Sequence, residues 1–344
     1  MLRSMFCAAL AIGLVGGGTA SAQGAADPIA AFYKGKNVTL VVGTGPGGAY
    51  DIHGRLISRH LGKHIPGTPK LVVQNMPGAG SVTAANHVYN LAPKDGSVLA
   101  NILNTVPLVH ALGQVKTQFD PAKFQWIGNM AQEVYLVLVW HTAPAQSIEA
   151  AKNVKVLMGS TSPGSLGGMY PRVLNEVLGT KFQPIAGYKE ATAIDLAVER
   201  GEVHGRAGES WYGRKGTTWE WTRDGKAKII LQIGFNKAAD LRDVPLLLDL
   251  VKDAPEKRQL VELFSSPARF GKPTVVAPGV PAARVAALRA AYAETMTDPE
   301  FRADAEKLGV DIQPVSGADL AKLAESFAAI PADLLAKARQ AVEN

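Results

Sequence analysis

Twice near its start, this chain runs as an apolar strand into a glycine-rich loop and resumes as a helix. That arrangement restricts the possible folds more than any other feature. Val38 to Gly43 (VTLVVG) is β-branched and apolar, and it stops at the loop Gly43-Thr44-Gly45-Pro46-Gly47-Gly48-Ala49-Tyr50-Asp51. Asp51 to His64 has helical character, and Lys70 to Gln74 (KLVVQ) is the next strand candidate. The second loop, Asn75-Met76-Pro77-Gly78-Ala79-Gly80-Ser81, opens a helix over Ser81 to Tyr89. After a turn at Pro93-Lys94-Asp95-Gly96, Ser97 to Leu103 reads as a third strand. Strand, glycine loop, helix, strand is the order that builds a parallel α/β sheet.

The alternation restarts after a long apolar stretch from Trp126 to Trp140 that lacks helix caps. Lys155 to Gly159 is a strand candidate, and Ser165 to Leu178 a helix stopped by Gly179. Ala191 to Arg200 is a helix stopped by Gly201, and Lys228 to Ile233 another strand. Each half therefore carries its own sheet and helices. The C-terminal portion is mostly helical: Val285, Leu288, Tyr292 and Met296 make one apolar stripe, and Asp298-Pro299-Glu300 caps a further helix ending at Gly309. With 344 residues, 47% of them hydrophobic, the chain is long enough for two domains with buried cores.

The N-terminus sets the compartment. Arg3 gives a positive start, Phe6 to Val15 is an apolar run too short to span a bilayer, and Ala20-Ser21-Ala22 reads as a cleavage site. Residues 1–22 are thus expected to be a secretory signal peptide, cleaved after Ala22, with the mature protein in the periplasm. Cys7 is the only cysteine and lies inside that segment, so no disulfide, thiol nucleophile or cysteine metal ligand is expected in the mature chain. No later segment approaches the roughly 20 apolar residues of a membrane helix. The net charge of +6 is spread along the chain without a basic block, which argues against a nucleic-acid partner.

Glycine loops bring bare backbone N–H groups and the positive end of a helix up to a ligand. Two of them, side by side at the carboxyl ends of parallel strands, form a pocket for an anion. Gly43, Gly45 and Gly48 satisfy G-x-G-x-x-G, but the dinucleotide fingerprint also needs an acidic residue about 20 positions on, and no Asp or Glu occurs between Asp51 and Asp95. No cofactor is expected. The same acid-free stretch carries Arg55, Arg59, Lys63, Lys70 and Lys94, so the surroundings of both loops are expected to favour negative charge. Asp51 is assigned mainly to accepting hydrogen bonds from loop or helix-start amides.

His53, His60 and His64 share a helical face, but only the last two have i, i+4 spacing, and no H-E-x-x-H motif is present; no metal is expected. Ser160, Thr161, Ser162 and Ser165 lie in a hydroxyl-rich loop that follows a strand and opens a helix, yet none fits G-x-S-x-G. Tyr188 and Thr192 flank another loop-to-helix start. Glu209, Trp211 and Tyr212 either wall a pocket or are core aromatics beside an acid; the sequence leaves both open. Asn104 and Thr105, just past the third strand, complete the candidate ligand-binding set of Thr44, Gly45, Gly47, Gly48, Tyr50, Asp51, Gly78, Ala79, Gly80, Ser81, Ser160, Thr161, Ser165, Tyr188, Thr192, Glu209 and Trp211.

At this point the chain resembles the Bug-type substrate-binding proteins of tripartite tricarboxylate transporters. The likeness rests on Pro46-Gly47-Gly48 with Asp51, Asn75 with Pro77-Gly78-Ala79-Gly80, and Ala92-Pro93-Lys94-Asp95-Gly96. It continues through Gly201-Glu202-Val203, Ala277-Pro278-Gly279-Val280-Pro281, and Asp298-Pro299-Glu300 with Leu308-Gly309. The pattern is departed from in the aromatic-free start of the first loop, at His204, and over Gly205 to Trp219. The resemblance implies a type II, flytrap-like periplasmic binding protein with two lobes, each a mostly parallel sheet flanked by helices, and the ligand in the cleft. In such proteins the first two glycine loops hold a ligand carboxylate through backbone amides and water, and the second lobe adds hydroxyl and backbone contacts. It further implies that Trp126 to Trp140 is one crossover and Arg269 to Val276 the return. Lobe 1 is then residues 23–128 and 270–344, and lobe 2 residues 129–269.

The expected function is non-enzymatic: capture of a small organic mono- or dicarboxylate by lobe closure and delivery to membrane permease subunits, by a monomer. The alternatives are an exported serine hydrolase and a sensory binding protein that signals to a membrane receptor.

Overall fold

The computed structural model describes residues 27–113, 115–212 and 215–343. The signal segment, its cleavage site and Cys7 lie outside the described residues, as does part of Gly205 to Trp219. Among the described residues the strands form two sheets. Strands β1 (Asn37–Val42), β2 (Lys70–Asn75), β3 (Val98–Asn101) and β4 (Gln125–Asn129) belong to the first. Strands β5 (Tyr135–Trp140), β6 (Val156–Ser160), β7 (Phe182–Ala186), β8 (Gly205–Ser210) and β9 (Ala227–Ile233) make the second. The chain then returns to the first sheet with β10 (Thr274–Val276) and β11 (Val315–Ser316). The orders are β11-β4-β10-β3-β1-β2 and β7-β6-β8-β5-β9.

Both sheets are mixed, where mostly parallel ones were expected. Strand β1 pairs parallel with β2 and β3, and β6 parallel with β7 and β8, as the strand–loop–helix order requires. By contrast β10 runs antiparallel to both β3 and β4, because it re-enters the first sheet from the opposite direction. In the second sheet β5 is antiparallel to β8 and β9. Apolar sequence tracks position: YLVLVW of the inner strand β5 is buried at every residue, whereas edge strand β2 alternates between exposed and half-buried residues. Covering a sheet on both faces calls for such a continuous apolar run.

Helices cover the sheets where the 3.6-residue pattern predicts. The stripe Val285, Leu288, Tyr292 and Met296 is buried in the core of the first sheet with Leu56, Ile57 and Leu61 of the Ala49–His64 helix. Asp298 caps the helix Pro299–Lys307, accepting hydrogen bonds from the N–H groups of Glu300 and Phe301. The C-terminal helix Ala332–Glu343 takes a different route. Its Ala338, Ala341 and Val342 pack in the core of the second sheet, with Val173 and Leu174 of the Leu166–Leu178 helix. Leu108 and Leu112, from the helix after β3, join that same core. Arg339 there donates to the carbonyls of Leu112 and Ala111, at 2.8 and 3.3 Å.

Trp126 to Trp140 is two strands of different sheets, with the actual connection at residues 130–134 between them. The return consists of the end of the Pro255–Phe270 helix, the turn Gly271–Pro273 and β10. The two connections touch main chain to main chain. Gly271 has φ +59°, and a Cβ there would lie 1.9 Å from the Ala131 carbonyl oxygen, so no other residue fits. Around it the Glu133 N–H donates to the Ala268 carbonyl at 2.8 Å, and Asn129 Nδ2 to the Phe270 carbonyl at 2.7 Å.

Candidate functional site

A cavity of about 880 Å³ opens between the two sheets, above the place where the connections meet. The carboxyl ends of β1 and β2 deliver the two glycine loops to one wall, and the end of β6 delivers the hydroxyl-rich loop to the other.

The second glycine loop has the less usual backbone. Gly78, Ala79, Gly80 and Ser81 all have positive φ, at 146°, 46°, 63° and 73°. For Ala79 and Ser81 that conformation costs roughly 1–2 kcal/mol each. Backbone that alternates between right- and left-handed conformations, or turns tightly, points successive N–H groups into one concavity that can receive an anion. Ala79 and Gly80 form part of the cavity wall, and beyond its chain neighbours no atom of the described residues lies within 4 Å of the place a Gly80 Cβ would take.

The two loops are locked together. A Cβ on Gly43 would sit 1.8 Å from Ser81 Oγ, so the glycine that ends β1 lets the second loop close over it. Asn75 Nδ2 donates to the Thr44 carbonyl at 3.0 Å and to Asp51 Oδ1 at 2.9 Å. Asp51 also accepts from the Gly47 N–H and from Arg55 Nε, both at 2.9 Å. Burial pushes its carboxyl pKa up, but the hydrogen bonds from Arg55, Gly47 and Asn75 outweigh that and hold it below its ordinary value. Asp51 therefore braces the loop from behind, in the structural role the sequence favoured.

On the opposite wall Ser160 is buried, and its Oγ has no hydrogen-bond partner among the described residues. Thr44 Oγ1, across the cavity, is in the same condition. Orphaned buried hydroxyls beside a cavity are satisfied by a polar group entering it. Ser165 is used locally: it caps the Leu166–Leu178 helix by accepting from the Gly168 N–H at 3.3 Å, and it donates to the Ser162 carbonyl at 2.7 Å. No histidine is hydrogen-bonded to Ser160 or Ser165 among the described residues. His204 Nδ1 accepts from the Leu157 N–H, and His53 Nδ1 faces the Ala49 carbonyl.

The floor is polar and closely bonded. Tyr50 donates to the Gly271 carbonyl and accepts from the Asn104 N–H, both at 3.1 Å. Asn104 Nδ2 donates in turn to the Pro267 carbonyl at 2.9 Å and to the Tyr135 hydroxyl. Glu133 and Lys272, one from each connection, form a buried ion pair, and Ser210 donates to the same carboxylate. Lys272 Nζ also lies 5.8 Å from the Tyr50 ring centroid. Burial first, and then the charge of Lys272, push the His53 pKa well below its ordinary value, so this buried imidazole is neutral.

Of the residues expected from the sequence, the cavity wall includes Thr44, Tyr50, Ala79, Gly80, Asn104, Thr105, Ser160, Thr161, Ser165 and Tyr188. The others stand elsewhere. Gly45, Gly47, Gly48 and Gly78 shape the loops behind the wall, and Ser81 is buried under Gly43. Thr192 is an exposed helix residue. Trp211 is core, packed with Val134, Leu136 and Ile229. Glu209 is buried and paired with Arg206 at 2.5 Å. The basic residues after Asp51 do not reach the cavity: Arg55 pairs with Asp51, Arg59 with Asp304, and Lys63 with Asp298 and Glu300. His60, Asp298 and Glu300 do come together, but the Lys63 ammonium lies 2.6 Å from both carboxylates and fills that place with a cation.

Sequence reasoning missed Glu133, Lys189, Arg206 and Lys272 on the wall. Lys189 carried a signal, lying in the loop between Tyr188 and Thr192, and so did Lys272, as the residue after a glycine at the return crossover.

No family model matches the chain. The UPF0065 protein in the gbd 5' region of Cupriavidus necator is 29% identical over 220 residues, covering 62% of this chain and 64% of that relative. The match thus spans less than two thirds of the relative's length. Among solved structures, a TctC solute-binding protein from Polaromonas superposes with a TM-score of 0.63 at 21% identity, over 90% of this chain and 99% of that one. The periplasmic binding protein BugD gives a TM-score of 0.65 at 17% identity, over 90% and 98%. R. palustris Rpa4515 with adipate gives 0.66 at 20% identity, over 89% and 98%. At these identities the likeness is one of fold. The chain has the two-lobed α/β fold of the TctC- and BugD-type solute-binding proteins, as the resemblance carried by its glycine loops implied.

Proposed function

We propose that this chain is a periplasmic solute-binding protein that captures a small organic carboxylate between its lobes and delivers it to a tripartite tricarboxylate-type membrane transporter. The observation that carries the proposal is the positive-φ loop Gly78–Ser81, whose Ala79 and Gly80 line one wall of the cavity, opposite the orphaned hydroxyl of Ser160. A carboxylate has an oxygen for each side: one accepts from the loop amides and the Thr44 hydroxyl, the other from the hydroxyl of Ser160. A ligand bridging the walls stabilises the closed arrangement because only that arrangement makes both sets of contacts. Residues 130–134 and Gly271–Pro273 are then the hinge, and lobe 1 and lobe 2 are the units built on the first and second sheets. Adipate in Rpa4515 supports the choice of a carboxylate.

A thermal-shift screen of the mature protein against carboxylates, amino acids, sugars and metals tests the proposal. A ligand at a hundredfold its Kd adds about 2.7 kcal/mol of stability. Stabilisation by carboxylates supports the assignment; stabilisation by sugars or metals alone would overturn it.

A further inference from the structure

Resting on the carboxylate-binding reading, we infer that the cleft selects a monocarboxylate with a bulky uncharged body over a dicarboxylate of the same length. A dicarboxylate needs a second receiving group, and the cations lining the cavity among the described residues are Lys189, Arg206 and Lys272. Two of these are already engaged within the protein. Lys272 is 5% exposed and sits in its ion pair with Glu133, whose other oxygen accepts from Ser210. Both terminal nitrogens of Arg206 are occupied: Nη1 by Asp195 at 2.5 Å and by the Ala191 carbonyl at 3.1 Å, Nη2 by Glu209 at 2.5 Å. Lys189 is exposed at the rim, where water screens its charge.

A second ligand carboxylate entering this cleft would leave water, approach the carboxylate of Glu133, and compete with Asp195, Glu209 and Glu133 for cations they already hold. The rest of the wall asks for something different. Leu103, Val109, Val115, Leu166 and Ile194 contribute apolar surface from both lobes. Arg206 Nε, which has no partner among the described residues, is left as one donor for a carbonyl or hydroxyl on the ligand's body. About 880 Å³ falls within the roughly 300–1,000 Å³ typical of pockets that hold drug-sized ligands. The cavity is therefore asymmetric in chemistry, with one anion-receiving corner at the second glycine loop and an apolar, charge-compensated remainder.

The test is titration calorimetry of the intact mature protein with two matched pairs: hexanoate against adipate, and benzoate against terephthalate. The inference expects the monocarboxylate of each pair to bind at least tenfold more tightly. Equal or tighter binding of adipate and terephthalate overturns it while leaving the carboxylate-binding reading in place. Failure of all four to bind at millimolar concentration removes the carboxylate-binding reading itself, and this inference with it.

Discussion

Replacing Gly80 with alanine isolates the contribution of the second glycine loop. Gly80 has φ +63°, and beyond its chain neighbours a Cβ there meets no atom of the described residues within 4 Å, so Gly80→Ala carries backbone strain but no clash. The strain costs roughly 1–2 kcal/mol. At about 2–4 °C per kcal/mol for a large domain, the melting temperature falls by roughly 2–8 °C and the protein stays folded. Binding is expected to suffer more, because in the proposed site the methyl would stand where the ligand carboxylate approaches the loop amides. Losing two hydrogen bonds to a charged group costs about 3–6 kcal/mol, at about 1.5–3 kcal/mol each. That corresponds to a rise in Kd of at least about a hundredfold. The assay is calorimetry with the carboxylate found by screening, alongside thermal unfolding. Gly179→Ala is the control: it has φ +73° and open space, caps the Leu166–Leu178 helix, and lies off the cavity. It should lose comparable stability and no affinity. A folded Gly80→Ala protein whose Kd stays within a few-fold of the parent would refute the anion-nest reasoning.

Gly43→Ala places a methyl 1.8 Å from Ser81 Oγ, so it should displace the second loop and lower both the melting temperature and the affinity; an unchanged Kd would count against coupling of the loops. Glu133→Gln leaves Lys272 buried without its counter-ion and should cost about 3–5 kcal/mol in denaturant unfolding, whereas Glu133→Leu combined with Lys272→Met should recover most of it. For pH, His53 is held neutral in the fold with its pKa depressed, so the unfolded chain takes up a proton first. Stability is then full above the ordinary histidine pKa of about 6.5 and falls as pH drops below it; His53→Gln should flatten that limb of the denaturation profile. The Asp51 carboxyl is also depressed, so its contribution is full above the ordinary carboxylate value of about 4 and is lost as pH falls from there through its own lower pKa; Asp51→Asn should reduce stability at neutral pH and remove that acid-side loss.

The strand–loop–helix half of the molecule was legible because its signals are local. VTLVV and KLVVQ are strongly β-forming, and glycine loops followed by helical periodicity mark where the strands stop. Strand β8 was not legible: Gly205–Ser210 (GRAGES) has little intrinsic strand preference, and its pairing with β5 and β6 comes from tertiary context. Trp126 to Trp140 reads as one apolar stretch because both of its strands are buried, and nothing local marks the change of sheet. At the site, the hydroxyl and glycine residues were found through their loops. The charged floor was not, since Glu133 and Lys272 are 139 positions apart and meet only when the two connections cross. Trp211 and Glu209 were ambiguous because an aromatic or an acid beside glycine looks the same whether it faces a cavity or a core. The basic residues after Asp51 misled for a related reason: Arg59 and Lys63 are consumed by Asp298, Glu300 and Asp304, distant in sequence and adjacent in space.

The claim that a carboxylate is held between the Gly78–Ser81 loop and the Ser160 loop is tested most directly by a crystal structure with a carboxylate ligand identified by screening. The expected result has carboxylate oxygens at about 2.7–3.1 Å from main-chain N–H groups of residues 79–81 on one side and from the Ser160 hydroxyl on the other. A carboxylate bound instead at Arg206 or Lys272, with the glycine loop empty, would contradict it.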